Sequence, residues 1–250
     1  MKRANLLSSM GLWIGAAVAL LVLSACTAPA RAPQSSSSGP AAWVMTPQVE
    51  GAERRNGGLM LVGQAAPDGR VVVRGPGGVA YATSADATGH FALRIDIPGE
   101  AALFVVETQS GQEATPAPYR LLVSPDAEGP VALLTTGGPS VRLDSAGPLA
   151  VIDGDGQTVL ASGRAQPGAM TAVSTGGASV ERQAQADGRW VLPLTQGASE
   201  LTVGGRRYVV PSLSVGEQGA LSVRRGAGGR LVSWTTPGGA VQASWFPDRA

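Results

Sequence analysis

The chain has 250 residues, 35 of them glycine and 18 proline, with 44% apolar and only 4% aromatic residues. That balance excludes a coiled coil or helical bundle and suits short strands joined by tight turns. Nineteen basic residues against 18 acidic leave a formal charge of +1, with no basic stripe of the kind that nucleic acid requires.

At the start, Lys2 and Arg3 precede an apolar run from Leu6 that closes on Leu23-Ser24-Ala25-Cys26. Cys26 is the only cysteine. The arrangement resembles the lipobox of bacterial lipoproteins. The resemblance implies a helical signal peptide over residues 1–25, lipidation of Cys26 as the new N-terminus, and attachment to a membrane through that lipid. An uncleaved span of about 20 residues is one alternative, and a secretory signal cut near Ala28 or Ala30 is another. The placement of the single cysteine favours the lipobox. Thr27 follows it, where an Asp retains many Gram-negative lipoproteins in the inner membrane, so the resemblance implies an outer-membrane destination. Loss of residues 1–25 takes Lys2, the only lysine, and Arg3 from the 19 basic residues, leaving 17 against 18 acidic and a charge of −1. With Cys26 acylated no disulfide can form, so apolar cores must supply the stability.

From Thr27 to Ala42 the chain reads TAPARAPQSSSSGPAA. Almost nothing there can be buried, which predicts a disordered linker over 26–42 that holds the folded part off the bilayer.

Beyond Trp43 the chain repeats itself at about 100 residues. Gly63-Gln64-Ala65-Ala66-Pro67 answers to Gly163-Arg164-Ala165-Gln166-Pro167, and Thr88-Gly89-His90-Phe91-Ala92-Leu93 to Asp187-Gly188-Arg189-Trp190-Val191-Leu192. Apolar residues alternate along Phe91-Leu93-Ile95 and Trp190-Leu192-Leu194, the period of a half-buried strand. The pattern resembles the bacterial Ig-like repeat of envelope and adhesin proteins. The second copy, Ser162 to Leu213, matches better; the first departs at Asp68-Gly69 and inserts a longer loop at Gln109–Pro118. The resemblance implies an all-β fold: two tandem Ig-like antiparallel β-sandwiches plus a C-terminal β-meander, with Phe91 and Trp190 in the two cores. The expected divisions are 43–125 for the first sandwich, 126–215 for a bridge and the second, and 216–250 for the meander.

Motifs that carry chemistry are sparse. His90, the only histidine, follows a turn and is expected to face solvent rather than serve a triad or a metal. Asp153-Gly154-Asp155-Gly156 lacks the distal glutamate of a calcium loop and is expected to form a hairpin tip. Gly75-Pro76-Gly77-Gly78 is a turn without the helix that a phosphate loop needs. Glu100, Glu107 and Glu113 lie close in sequence with nothing to split them into acid and base. No catalytic, cofactor-binding or metal-binding residue is predicted, and no small-molecule substrate is evident. Trp234, Trp245 and Phe246 are the candidate binding surface, since exposed aromatics stack on sugars or anchor partners; the alternative is that they fill the tail's own core. The expectation is a non-enzymatic outer-membrane lipoprotein with a structural, adhesive or protein-interaction role and an envelope protein as partner. The second expectation is a glycan- or peptidoglycan-binding module that uses those aromatics.

Overall fold

The computed structural model describes residues 45–144, 147–213 and 219–249. The signal peptide, Cys26 and the linker lie outside the described residues. Strands form where side chains alternate: in β5 (His90–Asp96) Phe91, Leu93 and Ile95 are buried while His90, Ala92 and Arg94 face out. Two-residue loops close several hairpins. β1 (Gln48–Arg55) turns into β2 (Gly58–Gln64) through Asn56-Gly57, at φ 48° and 74°, the left-handed pair that matches strand twist.

Among the described residues all pairings are antiparallel, as expected of this sequence. β3 (Arg70–Arg74), β4 (Ala80–Ser84), β6 (Ala102–Ser110) and β7 (Glu113–Val123) complete the first repeat. The second repeat runs through β10 (Leu149–Gly154), β11 (Val159–Arg164), β12 (Met170–Thr175), β13 (Ala178–Gln183), β14 (Arg189–Leu194), β15 (Glu200–Val203) and β16 (Arg206–Val209). Each repeat pairs its first, second and fifth strands in one sheet and the other four in a second sheet. Both open with a register shift at the same place, Val49/Gly51 and Leu149/Val151. Both set a glycine opposite the core aromatic, Gly63 against Phe91 and Gly163 against Trp190. A Cβ at Gly163 would lie 1.9 Å from the Pro148 carbonyl and 2.5 Å from the indole, so only glycine lets the ring lie flat there.

Three expectations are corrected. The insertion at Gln109–Pro118 is an extension of the β6–β7 hairpin, with a register shift between Val105 and Glu107 where Pro116 and Pro118 sit opposite. The stretch beyond residue 125 is no bridge: β8 (Val131–Thr135) and β9 (Val141–Arg142) extend the first sandwich into the order β4-β3-β6-β7-β8-β9. Val131 to Leu134 are buried on both faces, which is why the segment reads as an unbroken apolar run. Finally, β17 (Leu221–Gly226), β18 (Gly229–Thr235) and β19 (Val241–Pro247) form the meander, but it does not stand apart at 216. β19 pairs with β10, so the second sandwich has a six-stranded sheet, β14-β11-β10-β19-β18-β17.

Three cores result. Leu59, Phe91, Phe104 and Leu121 fill the first sandwich; Leu149, Trp190, Leu201 and Trp245 fill the second. A third lies between the two six-stranded sheets, where Leu122, Ala132 and Leu134 meet Val151, Val232, Trp234 and Phe246. The four sheets of the described residues are therefore stacked in series. Trp234, Trp245 and Phe246 are each 1% exposed, so the candidate binding surface is core instead. β19 sends Trp245 into one core and Phe246 into another because successive side chains leave opposite faces of a strand.

Candidate functional site

The densest polar chemistry lies along the seam between the two six-stranded sheets. Asp153 on β10 turns its carboxylate toward the first sandwich and is 5% exposed. It accepts hydrogen bonds from the Ser140 backbone N–H (2.7 Å), the Ser140 hydroxyl (2.7 Å) and the Ser244 hydroxyl (2.6 Å). Ser244 is its direct partner across β10 and β19, and Ser140 enters from the β8–β9 loop. Burial pushes the Asp153 carboxyl up to about 6, against the three hydrogen bonds that favour the anion.

A second polar group lies along the same seam. Asp144 accepts from Arg142 Nε and Nη2 (both 3.0 Å), from Arg249 Nη2 (2.8 Å) and from the Val131 N–H (3.1 Å). Arg142, 3% exposed, also donates from Nη1 to the Pro247 carbonyl at 2.6 Å. Arg230 on β18 reaches the other way, to Asp126 Oδ2 (2.9 Å) and the Glu128 carbonyl (3.0 Å). These bonds satisfy groups that packing has taken from water, and they fix one sandwich against the other.

The residues singled out by sequence fall apart in space. His90 is exposed, with Nδ1 2.9 Å from the Thr88 hydroxyl. Asp86 organises that turn by accepting from Thr88 Oγ1 (2.7 Å), Thr88 N (2.8 Å) and His90 N (3.0 Å), and these bonds hold its carboxyl below the usual range. The expected hairpin tip lies further on than Asp153-Gly154, which are paired residues of β10; in the turn at 155–158 Asp155 accepts from the Gln157 and Thr158 N–H groups and is its cap. Glu107 is 6% exposed and paired with Arg74 at 2.6 Å, while Glu100 and Glu113 face solvent. Among the described residues no three His, Cys, Asp or Glu converge on one point, and no helix is long and apolar enough to cross a membrane. Asp144 was not singled out by sequence, and Asp153 was read as part of a hairpin tip, whereas it is a strand residue paired with Ser244. The one signal was an aspartate ending the apolar run Leu149-Ala150-Val151-Ile152, where a turn residue was the simpler reading.

No family model matches this chain. No curated protein matches it either. A solved structure described as a Ca²⁺-stabilised adhesin that helps an Antarctic bacterium reach out and bind ice is similar at 13% identity, with a TM-score of 0.22. The match covers 82% of this chain and 48% of that one, so the chain spans about half that structure's length.

Proposed function

We propose that this protein is a non-enzymatic structural or adhesive module of a bacterial envelope, carried on the outer membrane by a lipid on Cys26. The fusion of the two repeats carries the reading. Trp234, Phe246 and the Asp144–Arg249 pair hold the sandwiches in one fixed arrangement, as a rigid spacer or display element requires. Sheet edges then become the natural partner contacts. β4 at one edge has no charged residue and no proline within Ala80–Ser84, so its outward backbone groups are unguarded against strand addition. The glycan-stacking alternative loses its platform with the burial of the three aromatics.

Mass spectrometry of the N-terminal peptide from the exported protein tests the anchor. A diacylated or triacylated Cys26, and loss of membrane retention in Cys26→Ala, are the expected results; an unmodified thiol overturns the reading. Photo-crosslinking in intact cells from Ala82 on β4 tests the partner. An adduct with one envelope protein, absent when the probe sits at exposed Ala92 on the sheet face, is expected. Equal, diffuse labelling from both positions would reject the edge as the contact.

A further inference from the structure

Several clefts open along the seam, and one of them is lined by arginines. It has a volume of about 130 Å³ and is bounded on one side by Pro139, Ser140 and Val141 of the first sandwich. On the other side stand Ser162 and Arg164 of β11 and Arg189 of β14, with Gln185 and Val191 beside them. Ser140 and Ser162 are 4% and 6% exposed, so the cleft has a buried polar floor as well as an open rim.

The repeat supplies an internal control. Arg164 and Arg189 are direct cross-strand partners, and the matching pair in the first repeat is Gln64 and His90. Both residues of that first pair are exposed, and neither is an arginine. In the second repeat the corresponding positions carry two exposed arginines, and here the β8–β9 loop forms the facing wall of a cleft. Like charges set directly opposite destabilise a sheet, so the pair needs an anion. Asp187 supplies part of it. Its carboxylate accepts from Arg189 Nε at 2.5 Å and from the Arg189 N–H at 3.0 Å. The Arg189 N–H first, and then the charges of Arg189 and Arg164, hold that carboxyl below its ordinary range.

Arg189 pairs with Asp187, and Arg142 shares Asp144 with Arg249, while Arg164 makes no ion pair among the described residues. The guanidinium fork of Arg164, the two Nη groups of Arg189 and the Gln185 amide are left as unspent donors. We propose that this cleft binds the carboxylate of a small organic acid, held by Arg164 and Arg189, with its carbon body against Val141, Ala150 and Val191. A planar carboxylate matches a guanidinium fork that has no ion-pair partner of its own. The site is independent of the membrane anchor proposed above.

The carboxylate can come from a uronic acid or from the free C-terminus of a peptide. Calorimetric titration of the full acylated chain in detergent, with sodium glucuronate, glucuronate methyl ester, acetyl-dialanine and acetyl-dialanine amide as probes, tests the site and separates the sources. Binding by one acid but not by its neutral counterpart is expected. Arg164→Gln should weaken that binding by about tenfold or more, and Arg164→Lys by less, since it keeps the charge without the fork. Both substitutions are at an exposed position, so an unchanged unfolding midpoint certifies the fold. Val191→Phe, which narrows the cleft and leaves both arginines in place, should also abolish binding. Binding by neither acid, equal binding of the neutral probes, or affinity untouched by Arg164→Gln and Val191→Phe overturns the proposal.

Discussion

The two repeats share a seven-strand plan yet differ in which sheet was widened. The first adds β8 and β9 to its four-stranded sheet; the second takes β17, β18 and β19 onto its three-stranded sheet. In each case the widened sheet is the one that meets the other sandwich. A duplicated domain by itself yields two independent cores and a hinge. The strands outside the repeat create a third core, and with it a single body. The difference between the repeats therefore resides in the seam.

The strongest way to break that comparison is to empty the seam. Trp234→Ala is expected to cost about 3–5 kcal/mol, as much as Trp190→Ala within the second sandwich, because both indoles are 1% exposed. Denaturant unfolding followed by fluorescence and by circular dichroism measures both. If the seam were a loose contact between independent domains, Trp234→Ala would leave the main transition in place. Asp144→Ala should cost somewhat less, about 3 kcal/mol. It strips the buried Arg142 guanidinium of its partner while Arg249, more exposed, can turn to water.

Asp153 sharpens the same comparison through pH. Its folded-state carboxyl titrates at about 6, above the ordinary 3.8, so the folded protein holds this proton more tightly than the unfolded chain does. The sign follows. The contribution is fully present below the unfolded value and is lost as pH rises through about 6. On the order of 2–3 kcal/mol of stability should disappear between pH 4 and pH 7 on this account. Unfolding midpoints across that range, compared with Asp153→Asn, test it. The substitution removes the titrating group, and with it this share of the slope. A wild-type slope identical to that of Asp153→Asn would place the shift elsewhere.

Much of the fold was legible, and the limits have physical causes. Phe91 and Trp190 lie in the cores that alternation assigned to them, and the glycines opposite them keep the repeat visible in sequence. Alternation fails where a strand is buried on both faces. Val131 to Leu134 and Leu149 to Ile152 each serve two cores, so neither segment shows a polar side to mark it as part of a sheet. The tail aromatics mislead for a related reason. A short terminal meander looks too small to bury two tryptophans, and it buries them only because another sandwich covers its far face. Nothing local encodes that cover. The Arg164–Arg189 cleft is less legible still, since one of its walls comes from a loop more than twenty residues earlier in the chain.

The smallest expected effect lies at the far edge of the seam sheet, where the added meander departs from the chain's own turn chemistry. Three two-residue hairpins use residues suited to positive φ: Asn56-Gly57, Gly176-Gly177 and Gly204-Gly205. The β17–β18 hairpin instead places Ala227 at φ 51° ahead of Gly228 at φ 67°. An alanine Cβ crowds the following carbonyl in that region, at a cost of about 1 kcal/mol. Ala227→Gly removes the clash but loosens the unfolded chain, so a net gain of roughly 0.5 kcal/mol is expected. Ala227→Asn should gain as much or more, because asparagine tolerates the left-handed region and constrains the unfolded chain better than glycine does. Thermal unfolding of the two variants beside the parent decides it. Destabilisation by both would mean that Ala227 carries no such strain.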